Sequence, residues 1–128
     1  MTVARASNML ASSLYRNRGA DLSIGTMIMG FDDYSGPSIY YVDSRGTRVC
    51  GDVFAVGSGS TFAISILDTD RRKDMSENEA IALGIKAIRH ATFRDAYSGG
   101  YIGVYVINRR GWRKVFSEDI AISTDALD

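Results

Sequence analysis

Apolar positions near the start of the chain repeat with a helical period. Val3, Ser7, Leu10 and Leu14 fall at i, i+4, i+7 and i+11, with Arg5, Ser12 and Arg16 off that stripe. The pattern fits an amphipathic helix within residues 1–20. After the Arg-Asn-Arg-Gly break at 16–19, residues 22–31 are rich in Ile and Met and predict a strand. Asp32, Asp33, Gly36 and Pro37 then supply turn chemistry. Residues 38–42 predict a second strand, 43–46 a tight turn, 47–50 a third strand and 53–56 a short fourth. Gly57-Ser58-Gly59-Ser60 follows and opens a helix over 61–67, with Ser58 or Ser60 near its cap.

A charged connector occupies 68–74. Ser76-Glu77-Asn78-Glu79 matches a capping box, in which Ser and Glu satisfy each other's free amides. The helix behind it is predicted to run from about 77 to about 97, burying Ile81, Ile85, Ile88 and Ala91 or Thr92, and to stop at Gly99-Gly100. Residues 101–107, a turn at 108–111 and residues 112–116 predict a hairpin. Strands first, helices next and a closing hairpin suggest an α+β fold with an antiparallel sheet.

Composition narrows the chemistry. With 128 residues the chain suits one domain, spanning 1–128, and 15 Lys+Arg against 15 Asp+Glu give no electrostatic case for nucleic acid or an anionic membrane. One cysteine excludes an internal disulfide. One histidine, His90, excludes His-cluster zinc sites and is expected at the surface or a rim. No apolar run approaches the roughly 18 residues of a spanning helix. Residues 1–20 are Arg- and Ser-rich with no acid, which also suits a mitochondrial transit peptide.

Asp95 breaks two local rules. Continuing the long helix by three and four residues places it on the apolar stripe, where a carboxylate needs a partner. It also stands near the helix C-terminus, where the macrodipole disfavours negative charge. The plain alternative is a helix that ends earlier, with Asp95 paired to Arg94 in solvent. Ser98, three residues on, is expected on the same face, beside Gly99-Gly100. Ser58 could add a second hydroxyl. The nucleophile-elbow motif fails at Val56 and Ala96, and the dinucleotide motif fails at Phe62.

The segments at 22–33, 36–60 (with YYVDS and VGSGS) and 91–100 (ATFRDAYSGG), with Gly111-Trp112, resemble the C-terminal half of proteasome beta-type subunits, most closely the beta type-5, chymotrypsin-like class. The match runs over about 1–119. It implies an N-terminal-nucleophile hydrolase fold, a four-layer αββα sandwich of which this is the C-terminal half. It implies a threonine nucleophile with its own α-amine as base, tuned by an Asp and a Lys of earlier strands. Ser58, Asp95 and Ser98 match the supporting residues that hold that N-terminus and its proton network. The nucleophile segment has no counterpart here. Thr2 is expected to begin a helix, and Gly25-Thr26 to belong to an internal strand. No cofactor is implied. Other proteasome alpha- and beta-type subunits, unfolded polypeptide substrates, the cytoplasm and the nucleus are. A truncated, non-catalytic subunit acting in assembly is the alternative, and an imported mitochondrial protein a more remote one.

Overall fold

The computed structural model describes residues 1–121. In chain order the elements are helix α1 (Val3–Arg16), strands β1 (Gly25–Asp32), β2 (Gly36–Asp43) and β3 (Arg48–Gly51), helices α2 (Ser60–Asp70) and α3 (Glu77–Arg94), and strands β4 (Tyr101–Asn108) and β5 (Gly111–Asp119). The α+β content with antiparallel strands is as expected. The described residues divide into two compact units, 1–56 with 107–112, and 57–106 with 113–121.

In the first unit β1-β2-β3 form an antiparallel meander, with Met27 opposite Tyr41 and Tyr41 opposite Val49. Helix α1 covers one face. Its stripe buries Val3, Ser7, Ala11 and Leu14, and Ala11, Leu14 and Val42 cluster beneath it. Gly30 lets the helix approach, since a Cβ there would meet Val3 Cγ2 at 2.8 Å. Ser7 is fully buried, and its hydroxyl donates to the Ala4 carbonyl (2.8 Å) and accepts from Arg48 Nε (2.7 Å). A polar residue on the apolar stripe is thereby satisfied. Thr2 caps α1 by accepting from the Arg5 amide (3.1 Å), and Thr26 pairs with Val42 in the ladder, so both stand in regular structure.

The first strand begins three residues later than the Ile and Met pattern predicts. Asp21 is in left-handed backbone (φ 52°), which turns the chain before β1 can start. No strand forms over 53–56. The Phe54 ring folds back to 6.1 Å from Tyr41, close under Gly51, so that segment packs as a loop.

In the second unit α2 packs on α3, and Leu83, Ala87 and Ala91 of α3 are buried. Of the predicted line Ala91 is buried as expected, but Ile81 and Ile85 are only half-buried and Ile88 is 44% exposed, with Leu83 and Ala87 buried in their place. The small side chain of Ala91 lets α3 lie close to the start of α2, where a Cβ at Gly59 would stand 3.2 Å from Ala91 Cβ. The capping box is present, with the Ser76 hydroxyl accepting from the Glu79 amide and Glu79 accepting from the Ser76 amide. Arg89 holds Glu118 of β5 at 2.7 Å and faces the Phe116 ring. His90 stands half-buried, edge-on to Phe62.

Candidate active site

Helix α3 does not continue to 97. It ends at Arg94, and Asp95 leaves it with extended backbone (φ −103°, ψ 116°) while its amide still bonds the Ala91 carbonyl at 2.8 Å. The cause is the side chain itself. Asp95 Oδ1 accepts from the Tyr97 amide (3.3 Å) and the Asp95 carbonyl accepts from the Ser98 amide (3.1 Å), a local turn that competes with the helical ladder. Ser98 therefore reaches Asp95 through this turn and not through helical spacing.

Three residues meet at one oxygen. Asp95 Oδ2 accepts from Ser98 Oγ at 2.6 Å and from Ser58 Oγ at 2.6 Å, the latter across 37 residues of chain. Distances this short are typical of hydroxyls bonded to a charged carboxylate. Asp95 is half-buried and Ser58 exposed, so the cluster lies open to solvent. The Ser58 hydroxyl, then that of Ser98 and the Tyr97 amide, hold the Asp95 carboxyl below its ordinary range, against the opposing effect of burial. Asp95 is thus a fixed anion, with Oδ2 held by hydroxyls. It is suited to hold a cationic group or to orient protons, and not to act as a base near neutral pH.

The loop that delivers Ser58 is built by two glycines for different reasons. Gly57 has φ +109°, which favours glycine, and its carbonyl accepts from the Ser60 amide at 3.1 Å. Gly59 is the N-cap of α2 at φ −87°, ψ 6°, and no side chain caps the helix. Ser58 and Ser60 flank that cap as expected, and the Ser58 hydroxyl donates to Asp95 rather than capping the helix. Sequence patterns singled out Ser58, Asp95 and Ser98, but Gly59 and the Tyr97 amide carry no periodic signal. The described residues hold no group of three or more His, Cys, Asp and Glu fit for a metal ion, and no helix long and apolar enough to cross a membrane.

Comparison with known proteins agrees with these segments. A family model described as proteasome subunit matches residues 1–107. Proteasome subunit beta type-5 of Gallus gallus is 53% identical over 121 residues, covering 94% of this chain and 47% of that protein. The beta type-5 subunit of Dictyostelium discoideum is 51% identical over 119 residues (93% and 43%). A beta type-8 subunit of Canis lupus familiaris is 47% identical over 120 residues (94% and 43%). The chain spans less than half the length of these relatives. It belongs to the proteasome subunit family.

Proposed function

We propose that this chain is the C-terminal part of a threonine-type endopeptidase subunit of the proteasome core particle, of the chymotrypsin-like beta type-5 class. One observation carries the reading most directly. Two of the segments that carry the resemblance, VGSGS and RDAYSGG, supply Ser58, Ser98 and the Asp95 carboxylate oxygen on which both hydroxyls converge. In the complete subunit an N-terminal threonine attacks the peptide carbonyl through its hydroxyl, and its α-amine takes the proton. Asp95 supplies the fixed negative charge beside that amine, and Ser58 and Ser98 orient the proton network around it. The chain would then form the later part of a four-layer αββα sandwich, assembled with other alpha- and beta-type subunits in cytoplasm and nucleus and acting on unfolded polypeptides.

The test is the intact mass and N-terminal residue of the protein carrying this sequence, isolated in core particles from its source. The expected result is a chain heavier than 14.0 kDa that begins with Thr. A particle-borne chain of 14.0 kDa beginning at Met1 or Thr2 would overturn the catalytic reading in favour of a non-catalytic role in assembly.

A further inference from the structure

Gly59 is buried at a position whose backbone angles (φ −87°, ψ 6°) lie at negative φ, in the bridge region that residues with a side chain also adopt. Conformation does not call for glycine there; space does. A Cβ at 59 would stand 2.9 Å from Ser98 Oγ, 3.2 Å from Asp95 Oδ2 and 3.2 Å from Ala91 Cβ. Two of those three atoms belong to the carboxylate–hydroxyl cluster. The third is on the buried line of α3, one helical turn before Asp95, whose amide bonds the Ala91 carbonyl.

We infer that Gly59 is a positioning residue of this cluster: the absence of a side chain lets the start of α2 close on Asp95 and Ser98, which brings the neighbouring Ser58 hydroxyl within bonding distance of the same oxygen. The inference rests on the proposed catalytic reading and names a part of the site that none of its polar groups reveals. A methyl at 59 must push against an oxygen that is already bonded. Ser98 Oγ yields first, since it makes the closest approach and a serine side chain can rotate. Its rotation removes one of the two hydroxyls on Asp95, and the spreading of the α2 start loosens the other. Ala91 adds a backstop, because its Cβ is fixed to the helix backbone and cannot move aside.

The experiment uses core particles assembled with the complete native subunit, assayed on a fluorogenic peptide with a large apolar residue before the scissile bond. Four versions are compared with the native one: Gly59→Ala, Ser98→Ala, both together, and Asp95→Asn. Gly59→Ala is expected to lower kcat at least about tenfold with KM little changed, the order of loss that small misplacements of catalytic groups produce. On the Ser98→Ala background, where the nearest clashing atom is gone, adding Gly59→Ala is expected to cost less than about threefold, as for residues acting through one another. Gly59→Ala should also move the acid limb of the kcat profile to higher pH, because Asp95 loses the hydroxyls that hold its proton off. A merely structural glycine would leave that limb in place.

Native activity in Gly59→Ala, an equal loss on both backgrounds, or an unmoved acid limb would each overturn the assignment. If Gly59→Ala fails to enter particles while the double variant enters, removal of the Ser98 hydroxyl has relieved the clash and the assignment stands. If neither enters, Gly59 serves the packing of α2 on α3 and the assignment falls. Asp95→Asn separates the two layers of the argument. Unchanged turnover there removes the whole cluster from catalysis, whereas an impaired Asp95→Asn beside a native Gly59→Ala removes Gly59 alone.

Discussion

The start of α1 and the end of α3 each carry an aspartate held below its ordinary pKa, for opposite structural purposes. Asp32 Oδ2 accepts from the Val3 amide (3.1 Å) at the first residue of α1, and its Oδ1 accepts from the amides of Ser35 (2.8 Å) and Tyr34 (2.9 Å). The Ser35 and Val3 amides are the main causes of its lowered pKa. Its charge faces the positive end of a helix dipole, and every partner is backbone, so it ties α1 to the β1–β2 turn. Asp95 stands at the negative end of α3 and takes two side-chain hydroxyls instead. The same direction of shift thus accompanies a carboxylate that supports the fold and one that the fold holds in an unfavourable field. The second arrangement is the one expected of a functional site.

Exchanging charge for amide at each position should separate the two roles. Asp95→Asn in the complete, assembled subunit is expected to lower peptide turnover by about a hundredfold or more, the usual contribution of a positioned proton-handling group, with normal incorporation into particles. Asp32→Asn should do the reverse. Turnover per assembled particle stays near native, while the Val3 amide exchanges its hydrogen about tenfold faster, the loss typical of a weakened helix cap. If Asp95→Asn blocks assembly or Asp32→Asn blocks turnover, the contrast between the two ends collapses.

Acid sharpens the comparison further. Asp32 binds its proton less readily folded than unfolded, so its contribution to stability is present above the unfolded pKa of about 3.9 and is lost as pH falls through the lower folded value. The difference in denaturant midpoint between the native chain and Asp32→Asn should therefore close as pH is lowered through that window. A gap that stays constant there would mean the charge of Asp32 is not what holds α1. The smallest effect is expected at Arg48. Arg48→Ala strips the buried Ser7 hydroxyl of its donor and should cost about 1 kcal/mol, as a lost hydrogen bond does, with little further cost when Ser7→Ala is added.

Elements with a strong local code were legible in the sequence. The capping box at Ser76 and Glu79 states the start of α3 in four residues, and the stripe through Val3, Ser7 and Leu14 states the buried face of α1. The absent strand at 53–56 was not legible, because the apolar pattern cannot state whether a neighbouring strand pairs with the segment, and here it packs as a loop with Phe54 beside Tyr41. The face of α3 misled for a related reason. Pattern ranks side chains by hydrophobicity and favours Ile81, Ile85 and Ile88 beside Ala91, whereas the packed helix buries Leu83, Ala87 and Ala91, a line set by the neighbour it meets.

At the site, the sequence by itself singled out Asp95 at the C-terminal end of α3, because the direction of a helix dipole is a property of neighbours along the chain, whereas the periodicity that placed it on the buried stripe ends with the helix at Arg94. It also determined the family, since YYVDS, VGSGS and RDAYSGG keep their order and spacing. Ser98 is a local partner of that carboxylate, three residues on, but only the tertiary structure brings Ser58 to it. Ser58 lies 37 residues away, and no local rule specifies a contact across that separation. Packing of α2 on α3 closes it, and the room for that closure is the missing Cβ of Gly59, a steric fact that exists only once both segments are in place.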